Sequence, residues 1–311
     1  MQYLFAWRYF KSKKSTSAIN IIAWVSVTAI TVGAAALIVI LSVFNGFEDL
    51  VKGLYTDFYA DMRVLPAQGK RMNLDDKTIY TIKSIEGVTA VSKVIEEKAL
   101  LANGDYQSIV VVKGVDAVFT KTNHINKHIV RGSYTIGDLQ NPGIVMGAGI
   151  ENAVGADVTK GGFPLTLYTP SEEAGFDAVD GMFAFNVTAR GVFAVQQEFD
   201  NKFIFTNLSF LQYMLSMTPN QVSGLEIKIN GSPEKIKAKL QEALGKNFVV
   251  ETRYEQNKNL YAVMQMEKWV IYGILSLILI VAAFNMIGAL TMLVLEKQKD
   301  IAVLKAMGSS A

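Results

Sequence analysis

The chain has 311 residues, of which 50% are hydrophobic and only 19% carry a formal charge. Soluble domains average about 25% charged residues, so this chain is too apolar for a solenoid of charged helices or a disordered tail. The formal net charge of +2 argues against a basic nucleic-acid-binding surface. The absence of cysteine excludes disulfides, cysteine-bound metal centres and thiol nucleophiles.

Two long uncharged segments account for the apolar excess. The first has its apolar centre at Ile19–Phe44, and the second covers Trp269–Leu295. A helix crosses a bilayer core of about 30 Å with about 20 apolar residues, so each segment predicts a transmembrane helix. Small residues at 33–36 resemble a signal-peptide cleavage site, but the aliphatic run continues past them, which favours an uncleaved anchor.

Charges that flank the two spans predict their orientation. The first 14 residues hold four basic side chains and no acidic one, and three lysines follow the second span. Residues 48–268 instead carry a net charge of −3. Because basic flanks stay in the cytoplasm, we expect both chain ends to be cytoplasmic and residues 48–268 to lie outside. Aromatic and basic residues within 1–18 favour a short interfacial helix over a plain extension of the first span.

The segment between the spans is long enough for a folded domain and alternates between strand and helix patterns. We expect an α+β domain in two lobes, with a split near residues 115–200, where the middle strands cluster. The predicted strands are 61–65, 88–94, 95–102, 107–112, 165–169, 183–195, 225–229 and 248–251, the predicted helices are 73–85 and 233–244, and 143–154 predicts strand, turn and helix. Asn103 and Gly104 predict a hairpin turn.

Helical continuity is expected from Gln256 to Leu295, because no strong helix breaker occurs there. One rigid helix would then run from the domain into the second span. Two helices joined by a kink near Glu267 are the alternative.

Motifs for catalysis are absent from the sequence. Neither Gly-Lys pair has the upstream glycine or the following Ser/Thr of a nucleotide-binding loop, and Gly147-Ala148-Gly149 predicts a plain turn. His124 and His128 are the only histidines, too few to complete a metal site without further ligands. We therefore predict no catalytic residue, no metal and no enzymatic activity in this chain.

Small and polar residues mark both predicted spans. The exit of the first span contains Asn45 and Gly46, and Gly33 lies deeper in the same span. Asn285 and Gly288 outline a small polar face in the second span. Small residues let helices approach closely and a buried amide needs a partner, so these positions predict contacts with other spans.

The segment Glu296–Gly308 predicts a short amphipathic helix at the cytoplasmic face. Ile301, Leu304 and Met307 recur every third residue, and Gly308 is placed to end the helix. Two interpretations stay open, a helix at headgroup level or a helix that docks on a cytoplasmic partner through its apolar face.

Together these segments resemble the ABC transporter permease family that includes LolC, LolE, the membrane part of MacB, and FtsX. The matching motifs are Asn45–Glu48, Ala283–Met286 and Glu296–Gly308, and residues 7–14 and 19–26 are most similar to the LolC/LolE branch. The motif match is dense over residues 1–65 and 255–311.

The resemblance implies a bacterial inner-membrane protein with two α-helical spans in this chain and a large extracytoplasmic α+β domain of MacB-like periplasmic core type. The implied segments are an N-terminal cytoplasmic or interfacial helix (1–18), a first span (19–47), a periplasmic domain (48–268), a second span (269–295) and a cytoplasmic coupling helix (296–311). Members of the family have four spans and dimerise. The sequence ends just after the coupling segment, so we infer a fragment of a longer chain.

The resemblance also implies partners. A separate ATPase subunit similar to LolD would hold the ATP and Mg²⁺, and a second permease copy or homologue would complete the dimer. The implied ATPase-coupling residues are Glu296, Lys297, Ile301, Leu304, Met307 and Gly308. An acylated lipoprotein would enter between the spans along Val39, Ser42, Val43, Phe47, Ile274 and Ile278. Ser171–Met182 lies where LolC presents a hook to a soluble lipoprotein carrier, and both a carrier contact and a plain exposed loop stay open.

The function that the resemblance implies is extraction of lipoproteins from the inner membrane toward a periplasmic carrier, driven by ATP hydrolysis in the partner. Two alternatives stay open from the sequence. One is MacB-like efflux of peptides or amphiphiles, and the other is FtsX-like transmembrane regulation of cell-wall hydrolases.

Overall fold

The computed structural model describes residues 18–160, 164–170 and 182–308. The helices are α1 (Ala18–Phe58), α2 (Asp76–Ser84), α3 (Phe119–Thr122), α4 (Ala148–Val154), α5 (Gln197–Asp200), α6 (Leu208–Met214), α7 (Pro233–Leu244), α8 (Arg253–Gln256) and α9 (Lys258–Ala306). The strands are β1 (Met62–Pro66), β2 (Met72–Asn73), β3 (Val88–Asn103), β4 (Tyr106–Val115), β5 (Ile129–Gly132), β6 (Gly143–Gly147), β7 (Pro164–Pro170), β8 (Met182–Phe193), β9 (Phe203–Asn207), β10 (Gln221–Val222), β11 (Gly224–Ile229) and β12 (Phe248–Thr252). The chain divides into two compact units, one formed by residues 50–258 and the other by 1–49 with 259–311.

The long helices α1 and α9 contain the two predicted spans. By length and composition alone, Ile30–Phe58 and Lys258–Met292 could each cross a membrane. Helix α1 continues to Phe58, well beyond the predicted end of the span at residue 47. The interfacial helix predicted within residues 1–18 falls almost wholly outside the described residues.

Helix α9 runs without a break from Lys258 to Ala306, which confirms the predicted continuity and shows one helix where two were the alternative. The segment from residue 296 onward is helical, but it continues α9 and does not begin as a separate helix. No proline or glycine separates Leu295 from Ala306, so nothing in the sequence interrupts the hydrogen-bond ladder there.

The unit of residues 50–258 is built on one mixed sheet in the order β12-β1-β11-β3-β4-β9-β6-β8-β5, with β7 pairing both β3 and β8. Strands β2 and β10 form a separate pair. The pairs β4–β9 and β6–β8 are parallel, and the other paired strands run antiparallel. The predicted hairpin at Asn103 and Gly104 is confirmed between β3 and β4, where Gly104 adopts a positive φ of 57°.

The predicted split into two lobes is wrong, because strand pairs cross the proposed boundary. Strand β3 pairs with β7, and β6 pairs with β9, so hydrogen bonds join strands from within residues 115–200 to strands outside that range in one sheet. The strands predicted at 88–94 and 95–102 are one strand, β3. Residue 94 is buried within this strand, and no turn residue separates the two halves.

Side chains of the central strands alternate between two packed faces. Val110, Val112 and Ile204 belong to the main hydrophobic core. Lys113, Phe203 and Phe205 are offset from them by one residue and therefore point to the opposite face. That second face is where the last turn of α1 packs, as described below.

Candidate functional site

The end of α1 is held in an aromatic cluster on the second face of the sheet. Phe58 stacks on Phe199 with ring centroids 4.0 Å apart, and it lies 4.9 Å from the ring of Phe203. Tyr55 packs edge-on against Phe199, and its hydroxyl donates to Glu198. Burying an aromatic side chain contributes about 1.5–3 kcal/mol, so the last turn of α1 is firmly part of the domain.

Arg253 ties the end of α1 to the segment that leads into α9. Its guanidinium donates to the Tyr59 carbonyl and to Thr56 Oγ1, both at 3.3 Å, and forms an ion pair with Asp61. Asp61 Oδ2 also accepts from the Ile229 backbone N–H at 2.9 Å. We call the set of Thr56, Tyr59, Asp61 and Arg253 the base joint. It links the helix that enters the domain to the residues that leave it.

A buried charge network lies on the same face of the sheet. The ammonium of Lys113, 1% exposed, contacts Glu226 and lies 3.2 Å from Glu96, which in turn lies 2.7 Å from Arg63. Burial raises the pKa of Glu96, but the charges and hydrogen bonds of Lys113 and Arg63 outweigh burial and lower the pKa to about 2. The four charges therefore balance within the domain. The sequence analysis missed this network, because strand patterning treats a lysine in a valine run as exposed.

The two candidate spans are joined by an ion pair. Lys268 Nζ of α9 lies 2.6 Å from Glu48 Oε2 of α1, and the Glu48 side chain is only 9% exposed. Both residues flank the predicted spans in the sequence. Their opposite charges were the only sequence signal that could have indicated this pair.

Three of the residues predicted to line a substrate path share one face of α1. Val39, Val43 and Phe47 recur every fourth residue, are exposed, and line an open apolar hollow of about 410 Å³ together with Ile40 and Phe44. Four-residue spacing places side chains on the same helix face. Ser42 does not line this hollow, although it is exposed on the same helix.

On α9, the predicted lining residues Ile274 and Ile278 are four residues apart and exposed by 54% and 43%. They therefore share a helix face as well. The hollow on α1 does not include them. Their part in a substrate path stays a prediction.

The small and polar positions predicted for span contacts face open space within the described chain. A Cβ built on Gly33, Gly46 or Gly288 meets none of the described atoms within 4 Å. Asn45 and Asn285 are exposed. The described residues of this chain do not pack against these positions, so contacts there would need another helix, and that role stays a prediction.

The predicted coupling segment is described only in part. The side chains of Glu296, Lys297, Ile301 and Leu304 lie outside what the structure describes, although their backbone is helical. Met307 is 71% exposed just after the last helical residue, and Gly308 has a φ of +92°. A left-handed residue there is typical of a helix end, as predicted for Gly308.

The turn at Gly147 is structural, as the sequence analysis predicted. Strand β6 passes directly into α4 there, and a Cβ on Gly147 would lie 2.1 Å from the Asp200 carbonyl oxygen. A Cβ on Gly149 would collide with Asn201. Glycine is therefore required by close chain approach. His128 Nε2 lies within hydrogen-bond distance of Asp57 Oδ2, at 2.9 Å.

Comparison with known proteins places this architecture in a family. Residues 23–243 match the family model described as MacB-like periplasmic core domain. LolC of Neisseria meningitidis, a lipoprotein-releasing system transmembrane protein, is 29% identical over 97% of this chain and 73% of its own length. LolC of Xylella fastidiosa is 28% identical over 97% of this chain and 72% of its own length, and LolE of Haemophilus influenzae is 26% identical over 99% and 74%.

Solved structures give more distant likenesses. The periplasmic region of MacB from Actinobacillus actinomycetemcomitans covers 64% of this chain and 92% of its own at 11% identity, with a TM-score of 0.44. The extracellular domain of the noncanonic ABC-type transporter YknZ from Gram-positive bacteria covers 61% and 99% at 11% identity, with a TM-score of 0.43.

Two helices long and apolar enough to cross a membrane precede and follow a single mixed α+β unit in the sequence, the arrangement of a membrane protein with an inserted extramembrane domain. The family match covers most of that unit and part of α1. The chain belongs to the MacB-like periplasmic core domain family. Its similarity to LolC and LolE extends over 97–99% of its length.

Proposed function

We propose that this chain is the permease subunit of an ABC transporter that extracts lipoproteins from the inner membrane toward a periplasmic carrier. The observation that carries the proposal is sequence similarity over 97–99% of the chain to LolC and LolE, which are named lipoprotein-releasing system transmembrane proteins. Similarity over that length includes both apolar helices and the domain between them.

The base joint supports a mechanical role for the domain. Arg253, five residues before the start of α9, bonds to Thr56 in the last turn of α1, to Tyr59 just after it, and to Asp61 just before β1. Helix α9 then continues without a break to Ala306. A displacement applied near residue 306 would therefore travel along one continuous hydrogen-bonded helix as far as Lys258, five residues after Arg253. A separate ATPase subunit, which would bind ATP and Mg²⁺, would supply that displacement.

The orientation within the proposal follows the flanking charges. The N-terminus and residues 296–311 would be cytoplasmic, and residues 48–268 would be periplasmic. A single-cysteine label is well suited to test this, because the chain has no cysteine of its own. Gly104→Cys lies in an exposed turn and should react with a membrane-impermeant maleimide in intact spheroplasts, whereas Ser310→Cys should react only after the membrane is opened. Labelling of both from one side would refute the orientation.

The substrate part of the proposal assigns the apolar hollow of Val39, Val43 and Phe47 to the acyl chains of the lipoprotein. Exposed apolar side chains on one helix face suit a lipid chain in the outer leaflet better than they suit a polar solute. Ile274 and Ile278 would contribute from α9. Residues 171–181, where a carrier contact was considered, lie outside the described residues, and a carrier contact there is a proposal from the resemblance only.

Depletion of the protein in its host tests the transport function directly. Lipoproteins destined for the outer membrane should accumulate in the inner membrane, as measured by density-gradient fractionation. Normal lipoprotein sorting would remove the proposal. Loss of peptide or amphiphile export with normal sorting would support the MacB-like alternative, and a division or wall-hydrolysis defect with normal sorting would support the FtsX-like one.

Copurification of the ATPase subunit with the full chain tests the proposed coupling residues. Leu304→Asp places a charge on the apolar face of the coupling segment and should abolish copurification of the ATPase subunit. Val303→Asp is a matched control, because Val303 is an exposed neighbour about 100° away around the helix. Equal copurification with both variants and the unmodified protein would defeat the assignment.

A further inference from the structure

A cleft in the domain lies beside the buried charge network on the second face of the sheet. It has a volume of about 530 Å³ and is lined by Arg63, Lys70, Lys98 and Lys202, together with apolar residues that include Val111 and Phe203. We call this the basic cleft. Its walls come from β1 and the segment after it, from β3 and β4, and from the turn before β9. The proposed transport cycle makes no use of it.

The charges that line the basic cleft do not cancel. Glu96 and Glu97 are the two acidic residues in the lining, against four basic ones. Glu96 is already engaged by Arg63 at 2.7 Å and by the buried Lys113 at 3.2 Å. Its pKa, lowered to about 2 by those two cations against the effect of burial, keeps it ionised. Glu96 therefore cannot serve as the counter-ion of the lysines.

The lysines of the basic cleft have no ion-pair partner among the described residues. Lys98 and Lys202 are exposed, and Lys202 Nζ lies 5.1 Å from the ring centroid of Phe203 at the apolar floor. Arg63 Nε is buried without a hydrogen-bond acceptor in the described structure. Arg63 keeps its ion pair with Glu96, so Lys98 and Lys202 are the exposed cations that a ligand in the cleft would meet.

We propose that the basic cleft binds an extended acidic segment of another protein. The cations come from separate elements around an open volume, which suits carboxylates distributed along a peptide better than one compact anion. At about 3.3 Å per residue, a few extended residues would cover the cleft. The apolar floor of Val111 and Phe203 would receive the uncharged side chains between the acidic ones. This inference goes beyond the proposed function and does not depend on what is transported.

Direct binding tests the proposal with the full chain in detergent micelles. The probe is fluorescein-labelled hexaglutamate, followed by fluorescence anisotropy, with labelled hexaglutamine as the neutral control. We expect saturable binding of hexaglutamate at low ionic strength and its loss at about 1 M salt, where the screening length falls to about 3 Å. Absence of saturable binding at low ionic strength would overturn the proposal.

Charge reversal locates the binding. Lys98→Glu with Lys202→Glu should weaken the affinity for hexaglutamate at least about tenfold, because two attractive pairs become repulsive. Lys83→Glu with Lys235→Glu is the matched control, since it makes the same change in net charge at two exposed positions outside the cleft. Should the reversed variant fail to fold, as judged by near-ultraviolet circular dichroism, Lys98→Gln with Lys202→Gln should still weaken binding about threefold.

The remaining outcomes also decide the proposal. Equal weakening in the Lys83/Lys235 control would mean that net charge and not the cleft attracts the peptide, and it would overturn the proposal. Displacement of hexaglutamate by equimolar inorganic phosphate or glycerol phosphate would assign the cleft to a small anion and would also overturn it. If lipoprotein sorting does not depend on this protein, the proposed transport function fails, but the peptide-binding results are unaffected. The two proposals can therefore be refuted separately.

Discussion

Loss of the Arg253 side chain should loosen the domain from its helices. Arg253→Met keeps most of the aliphatic length but removes the donors to Tyr59, Thr56 and Asp61. Hydrogen bonds to charged groups contribute about 1.5–3 kcal/mol each, and they are not additive. Asp61 keeps the Ile229 N–H as a donor, so the expected loss is about 2–3 kcal/mol and not the sum of three bonds.

A loss of that size is measurable by thermal unfolding of the full chain in detergent. For a domain of 150–250 residues, about 1 kcal/mol corresponds to about 2–4 °C, so Tm should fall by about 4–12 °C. Near-ultraviolet circular dichroism is the suitable signal, because Tyr55, Phe58 and Phe199 are packed next to the base joint.

Lys237→Met is the matched control for this experiment. It removes another cation in the same region, but the ion pair of Lys237 with Glu255 is exposed, with 27% and 39% of the two side chains accessible. Exposed pairs contribute about 0–1 kcal/mol, so Tm should change by less than about 4 °C. Equal shifts for the Arg253 and Lys237 variants, or no shift for the Arg253 variant, would refute the assignment of a structural joint.

Three further predictions concern the inside of the domain. Lys113→Met should lower the free energy of unfolding by about 3–5 kcal/mol in urea titration, because it leaves Glu226 buried without its cation. Adding Glu226→Leu should recover part of that loss. If the effects of the two substitutions simply add, the pairing of Lys113 with Glu226 is contradicted. The lowered pKa of Glu96 stabilises the fold above its ordinary value of 4.5, and this contribution, on the order of 3 kcal/mol, should be lost as the pH falls from about 4.5 to about 2. Glu96→Gln should therefore flatten the acid limb of a stability-against-pH curve, and an unchanged limb would exclude Glu96 as its source. Gly147→Ala should lower the free energy of unfolding by about 1–3 kcal/mol, because the new Cβ would clash with Asp200. Gly33→Ala is the control, since Gly33 has open space around it, and it should leave the unfolding midpoint unchanged. Equal effects of the two substitutions would contradict the close approach of the chain at Gly147.

The sequence predicted those elements whose ends are marked by proline, glycine or a turn motif. The helix Pro233–Leu244 was predicted with its observed bounds, because proline opens it and Gly245 follows it. The turn at Asn103 and Gly104 fixed the β3–β4 hairpin in the same way. These features depend on a few neighbouring residues and need no knowledge of the rest of the chain.

The sequence analysis missed elements that depend on contacts with distant parts of the chain or are too short to show a pattern. Strand β9, Phe203–Asn207, is a short buried run, and its pairing with β4 depends on a residue separation that no local pattern encodes. Helix α6 follows directly from Asn207, whose side chain accepts from the Ser209 and Phe210 N–H groups. A seven-residue helix is too short to give a clear periodic pattern.

The candidate site was predictable only where it lies on a single helix. Val39, Val43 and Phe47 were implied by the resemblance, and their four-residue spacing in one uninterrupted helix accounts for the face that they share. The base joint and the charge network bring together residues far apart in the sequence, such as Asp61 with Arg253 and Lys113 with Glu226. These residues meet because the order of the strands in the sheet brings them together, and that order is determined only by the complete domain.

The position of β1 has a consequence for how the protein is made. This strand lies between β11 and β12, so both of its neighbours are synthesised almost last in the domain. While the ribosome is still producing the middle of the chain, both edges of β1 stay without their native partners, and unpaired edges invite wrong pairing between chains. Long-range pairing of this kind also slows folding. In the proposed orientation, the domain can close only after nearly all of it has been exported, shortly before α9 enters the bilayer.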